Sequence, residues 1–207
     1  MIAERHLKPG DALPSQRELA KRLGVSRPSL REGLSMLETL GVLRVEDRRG
    51  LFVAEAGAGP VRVTGLAGSY SLEEIYGFRL SLEPAALSLA TGALSGADIS
   101  EMRHLTNRML EGALKNRPVV AGECDTHFHD LIFDRCSNRI YRDVRRQFAR
   151  ELRESQWAPM VVLDQVRDTA REHHAIVDAL EKGNSKTACE RLENHIRLSA
   201  RRVNIQI

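Results

Sequence analysis

Aromatic residues make up only 4% of this 207-residue chain, too few for the alternating aromatic and β-branched pattern of a β-sandwich. Cysteine is also scarce: Cys124, Cys136 and Cys189 are odd in number and lack a CxxC spacing, so they read as reduced, inert residues and not as a disulfide framework. No apolar run approaches the length of a membrane span, and the first residues, "MIAERHLKPG", have no apolar core that could act as a secretion signal. These absences predict a cytoplasmic protein with no membrane partner. Nor is there an HExxH; "REHHAIVD" has the wrong order. What remains is rich in Leu, Ala and Arg, 42% hydrophobic and 29% charged, and predicts a mainly α fold in one large or two smaller domains.

Net charge is +3, and residues 1–56 hold ten Lys and Arg against eight acids. That balance is too mild to imply nucleic-acid binding, so placement must decide. In "LPSQRELAKRLGV" Ser15 can cap a helix, Glu18 can close a capping box, and Gly24 can end the helix in the left-handed region. Leu19, Ala20 and Leu23 form its apolar face. "SRPSLREGLSMLETLG" restarts with Ser26 at the N-cap, Pro28 in the first turn, Leu30, Leu34 and Leu37 in register, and Gly41 as the stop. The pattern is a helix-turn-helix. Arg27 and Arg31 stand where a positive charge opposes the helix dipole by about 0.3–1 kcal/mol, so stability alone does not explain them. Four residues apart, they present guanidinium forks on one face, with Ser29 near it, as a recognition helix does. "VLRVE", "DRRG" and "LFV" then read as strand, turn and strand, a wing with Arg48, Arg49 and Gly50 at its tip.

The stretch "LKPGDALPSQRELAKRLGVSRPSLREGLSMLETLGVLRVEDRRGLFV", residues 7–53, resembles the DNA-binding domain of the GntR family of bacterial transcription regulators. The resemblance implies operator contacts from Arg17, Arg27, Ser29 and Arg31 and a minor-groove approach by Gly50; Ser26 and Arg49, their neighbours, complete the expected DNA-facing set. Family members usually carry a further helix ahead of "LKPG". Here only its final turn is expected, which would leave Leu13 and Leu37 short of a packing partner.

Composition places the winged helix-turn-helix in residues 1–56 and a Gly-rich linker in 57–70. Residues 71–207 then read as about six helices packed in an antiparallel bundle, the first with a capping box at Ser71 and Glu74 and a bend at Pro84, the others separated by Pro118, "CSN", Pro159 and "GNS". Within it, "ECDTHFHDLIF" sets Asp125 and His129 four apart on one helical face, with Phe128 and Leu131 expected on other sides. His173 and His195 lie mid-helix in segments that "GNS" folds into a hairpin. One Asp and three His on three helices suit a divalent metal with open positions, Zn first, Ni or Mn as alternatives. From spacing alone, hydrogen-bonded core histidines explain the same residues.

"DTHFHDLIF", "REHHAIVDALEKGN" and "ENHIRLSARR" resemble the FCD effector-binding domain that accompanies this DNA-binding domain in the fatty-acid-regulator subfamily. The resemblance implies metal ligation by Asp125, His129, His173 and His195, with His127 and His174 pointing elsewhere. It also implies that Arg79 lines an effector pocket, where a metal and a guanidinium would together hold a carboxylate; an ion pair with Glu83, four residues on, is the structural alternative. The expected function is a dimeric regulator, a repressor, that binds double-stranded operator DNA and responds to a small organic acid. No residue is assigned a catalytic role. A metal-dependent enzyme and a plain structural bundle are the competing readings.

Overall fold

The computed structural model describes residues 7–24, 26–39, 43–46, 50–54, 62–65, 68–161 and 163–207. They fall into two compact units, Met1–Val63 and Thr64–Ile207. The chain is mainly α, a winged helix-turn-helix followed by a helical bundle.

In the first unit, α1 (Gln16–Leu23) starts where Ser15 accepts the Glu18 N–H and stops at Gly24, whose φ of 67° and ψ of 26° are left-handed. The expected capping box is only half made: the Glu18 carboxylate turns to Arg22 instead, at 2.5 Å. In α2 (Arg27–Thr39) the Leu30 N–H reaches Ser26 O at 2.9 Å, which sets Ser26 at the N-cap position. Strands β1 (Leu43–Glu46) and β2 (Gly50–Val53) pair antiparallel, Leu43 opposite Val53 and Glu46 opposite Gly50. The chain around Ala12 adds to the other edge of β2 through Gly10 N to Val53 O at 2.9 Å and Leu13 N to Leu51 O at 2.8 Å. Leu19, Ala20, Leu30, Leu34, Leu43 and Leu51 form the core. Leu13 and Leu37, expected to lack a partner, pack against it, while Leu23, expected on the apolar face, is 60% exposed. Gly41 and the turn at 47–49 lie outside the described residues.

Within the stretch read as linker, β3 (Arg62–Gly65) and β4 (Gly68–Ser71) form a second two-stranded sheet. The bundle follows. Its first helix, α3 (Leu72–Ala90), begins with the predicted capping box, Ser71 Oγ taking the Glu74 N–H and Glu74 taking the Ser71 N–H, and runs through Pro84. A second box, Ser95 with Asp98, starts α4 (Gly96–Leu114), and Pro118 opens α5 (Pro118–Arg135), where a missing N–H costs nothing.

The segment 138–155, expected as one helix, is two: α6 (Arg139–Gln147) and α7 (Ala149–Trp157). Phe148 leaves helical geometry at φ −103° and ψ 22° and packs its ring edge-on against Phe78 and Tyr70, which breaks the run. A 3-10 turn, Ala158–Val161, contains Pro159; α8 (Leu163–Glu181) and α9 (Ser185–Arg202) then form the predicted hairpin, turned by the left-handed Gly183 and capped by Asn184. The described bundle therefore has seven α-helices where about six were expected. No helix among the described residues is long and apolar enough to cross a membrane.

Close packing fixes α7 on α5. A Cβ at Gly122 would come within 2.9 Å of the Trp157 ring, and the Trp157 indole donates to Thr126 Oγ1 at 3.1 Å. Glycine is required there because the indole occupies the space.

Candidate metal centre

Helical spacing brings Asp125 and His129 to one face of α5, and the α8–α9 hairpin carries His173 and His195 to meet them. All four are buried, at 0–2% exposure, and each offers a ligand atom within 4.8 Å of every other. His173 Nε2 lies 3.3 Å and His129 Nε2 3.9 Å from the Asp125 carboxylate. Phe128, expected on another side of α5, is also buried, its ring 4.4 Å from that of His173. It closes one wall of the cluster.

Each imidazole is oriented through its other nitrogen. His129 Nδ1 lies 2.6 Å from Glu83 Oε2, His173 Nδ1 2.9 Å from Thr169 O, and His195 Nδ1 2.8 Å from Glu172 Oε2. Glu172 is in turn gripped by both Nη atoms of Arg202. For His173 and His195 these hydrogen bonds leave Nε2 as the unprotonated nitrogen turned inward, the arrangement usual around metal-ligating histidines, whereas His129 approaches Glu83 closely without hydrogen-bond geometry. Glu83 also takes Arg79 Nε at 2.6 Å, with both side chains 1% exposed, so the ion pair weighed from sequence is present. Arg79 Nη1 reaches Ser155 Oγ at 3.4 Å, and Tyr76 donates to Ser155 O at 2.7 Å.

Burial holds His129, His173 and His195 below the ordinary histidine value, His173 furthest because the other two imidazoles add to the effect. Burial likewise pushes Asp125 up to about 6, against the pull of His195 and Arg79. Burial would raise Glu83 too, but Arg79 and His129 outweigh it and hold the carboxyl below the usual range. Three neutral imidazoles around a carboxylate form the donor set a divalent cation binds, since metal ligands must give up their protons. His129 Nε2 and His173 Nε2 have no hydrogen-bond partner among the described residues. Buried polar atoms are rarely left so, and a cation at the centre would satisfy both. The residues fit a metal.

Glu172, Arg202, Tyr76, Ser155 and Thr169 were not singled out from the sequence. A signal existed for some of them: Tyr76, Arg79 and Glu83 recur at helical spacing, and Arg202 is two turns beyond His195. His127 is exposed, and His174 pairs with Arg103 at 2.9 Å, away from the ligand set as expected.

On the first unit, Arg17, Ser26, Arg27 and Arg31 are exposed, and Gln16, Arg17, Arg27 and Leu30 line one recess. The structure thus brings together Arg17 and Arg27, which lie on different helices. Ser29 falls within α2. Gly50 opens β2 at φ 113°, a conformation that favours glycine. Arg49 lies outside the described residues.

Residues 74–198 match the family model for the FCD domain, and residues 1–53 that for bacterial regulatory proteins of the gntR family. The putative L-lactate dehydrogenase operon regulatory protein of Escherichia coli K12 is 27% identical over 95% of this chain and 79% of its own length. The transcriptional regulator LutR of Bacillus subtilis is 25% identical over 91% of this chain and 89% of its own. In fold, the chain is similar to a putative GntR transcriptional regulator from Rhodococcus sp. RHA1, with a TM-score of 0.56 at 21% identity, covering 96% and 90% of the two chains. These families and relatives are transcription regulators, not enzymes. The chain belongs to the GntR family of bacterial transcription regulators, with an FCD domain behind its DNA-binding domain.

Proposed function

We propose that this regulator is a cytoplasmic homodimer that represses from operator DNA and is governed by a divalent metal and a small organic acid bound in the helical bundle. The observation that carries the reading is the convergence of Asp125, His129, His173 and His195, buried and each imidazole pre-oriented from outside. Zn suits this set first, with Ni or Mn as alternatives. When bound, the cation would supply a Lewis-acidic anchor for one carboxylate of the effector. Arg79 supplies a second anchor: Glu83 holds the guanidinium through Nε while Nη2 has no hydrogen-bond partner among the described residues. The E. coli relative is named as a putative L-lactate dehydrogenase operon regulatory protein, which accords with a hydroxy-acid effector.

On the DNA side, Arg17, Ser26, Arg27, Ser29, Arg31, Arg49 and Gly50 form the contact set, and a dimer presents two such sets to a pseudo-palindromic operator. Effector and operator are then coupled through the dimer's conformational equilibrium, each shifting it by its differential affinity for the two states.

The first test is metal content per chain by mass spectrometry, on protein prepared without chelators, with Asp125→Ala alongside. Near-stoichiometric metal in the wild type and its loss in the variant are expected. Metal absent from both would leave the histidines as a structural core and overturn the reading.

A further inference from the structure

Beyond the ligand set, the bundle buries donors that nothing among the described residues satisfies. Arg145 is 6% exposed. Its Nε and Nη2 hold Asp130 Oδ1 at 2.8 and 2.7 Å, and Nη2 also lies 3.5 Å from Gln156 Oε1, yet Nη1 has no partner. Gln156, 2% exposed, leaves its Nε2 unpartnered, and Arg79 leaves Nη2. A buried donor without an acceptor bears its full desolvation penalty.

These donors belong to one neighbourhood for a local reason. Consecutive residues at the end of α7 receive the two arginines: Ser155 takes Arg79, and Gln156 takes Arg145. The next residue, Trp157, is seated over Gly122 and bonded to Thr126, so this end of α7 is fixed to α5 beside Asp125. Arg145 lies 6.0 Å over the Phe133 ring, one turn along α5 from His129.

Charge favours an anion there. Asp130 pairs with Arg145 from one side only, and the guanidinium is the more buried of the two: the side chain of Arg145 is 7% exposed and that of Asp130 39%. The nearest acid on α7, Glu154, is two residues from Gln156, about 200° round the helix; its Oε1 lies 3.8 Å from Arg150, and its buried Oε2 has no hydrogen-bond partner among the described residues. Because the orphans on Arg145 and Gln156 are both donors, they select an acceptor-only group, a carboxylate in preference to a hydroxyl.

We infer that Arg145 and Gln156 form a second anion subsite in the effector pocket, so that the effector is a dicarboxylate gripped at one end by the metal cluster and Arg79 and at the other by Arg145 Nη1 and Gln156 Nε2. This rests on the pocket proposed above. It narrows the effector class from organic acids in general to those with two separated carboxylates.

The test is titration calorimetry on the full-length zinc-loaded protein with L-lactate, L-malate and 2-hydroxyglutarate. All three share a 2-hydroxycarboxylate head; only the last two add a second carboxylate, at different reach. At least one of them should bind about tenfold or more tighter than lactate. Gln156→Glu, similar in shape and able to pair with Arg145, should erase that margin. Equal affinities in the wild type, or a margin that survives Gln156→Glu, would overturn the subsite; lactate binding that still required Asp125 would then leave the pocket itself standing. Failure of all three acids to bind, or binding indifferent to Asp125→Ala, would overturn the pocket and the subsite together.

Discussion

Arg17, Arg27 and Arg31 stand exposed on a unit with a small aliphatic core, whereas Asp125, His129, His173 and His195 are sealed inside theirs. The contrast is one of what each function demands of its fold. Exposed arginines need only a helix to stand on; Arg17 in the first turn of α1 and Arg27 in that of α2 each oppose the dipole by about 0.3–1 kcal/mol at most. The buried cluster needs every surrounding group to be satisfied or compensated, so Glu83, Thr169 O, Glu172 and Arg202 are recruited around it. Function in the bundle therefore trades against stability, and function on the DNA-facing unit scarcely does.

The sharpest way to break that contrast is Asp125→Asn, which keeps the shape and removes the charge. In metal-free protein burial raises Asp125 to about 6. A raised acid favours the protonated folded state, so its effect on stability is absent below the unfolded value near about 4 and fully destabilising above the folded one. The variant should thus lose metal uptake yet be more stable than the chelated wild type at pH 8, by on the order of 3 kcal/mol, with the gap closing by about pH 4. The depressed histidines destabilise both proteins as pH falls below about 6.5, the variant more, because it lacks the carboxylate that raises His195. A lower melting point at pH 8 would make the carboxylate a structural partner first.

Next in size is Glu172→Gln, which weakens the acceptor behind His195. Metal affinity should fall by about 10–100-fold, measured by competition with a chromogenic chelator, while operator affinity of effector-free protein stays the same. An unchanged metal affinity would show that Glu172 serves Arg202 alone. The smallest effects belong to the other unit. Arg27→Ala or Arg31→Ala should reduce the salt dependence of operator binding by about one phosphate contact each, with thermal stability unchanged or slightly raised and metal content untouched. A loss of folding in either variant would mean that these arginines are structural after all.

Much of this was legible because it depends on local rules. Ser15, Gly24, Ser71 with Glu74 and "GNS" announce helix ends through caps and turns that act within a few residues. Asp125 and His129 declare a shared face by their spacing alone. The outer partners were hidden because a glutamate on a helix looks the same in sequence whether it faces water or orients an imidazole: Glu172 and Glu190 differ only in what packs against them. The break at Phe148 was hidden for a similar reason, since it depends on contact with Phe78 and Tyr70, about seventy residues away in sequence. Glu18 misled in the opposite way, because Arg22 competed for the carboxylate that a capping box would have used.

Trp157 is the chain's one tryptophan, and it rests on Gly122 with its indole bonded to Thr126, beside Asp125 and next to Gln156. All of this chain's tryptophan emission therefore arises at the seam between α5 and α7, one residue along α5 from Asp125. If the proposed site fills, its own indole is the optical reporter, and no label has to be introduced to watch it.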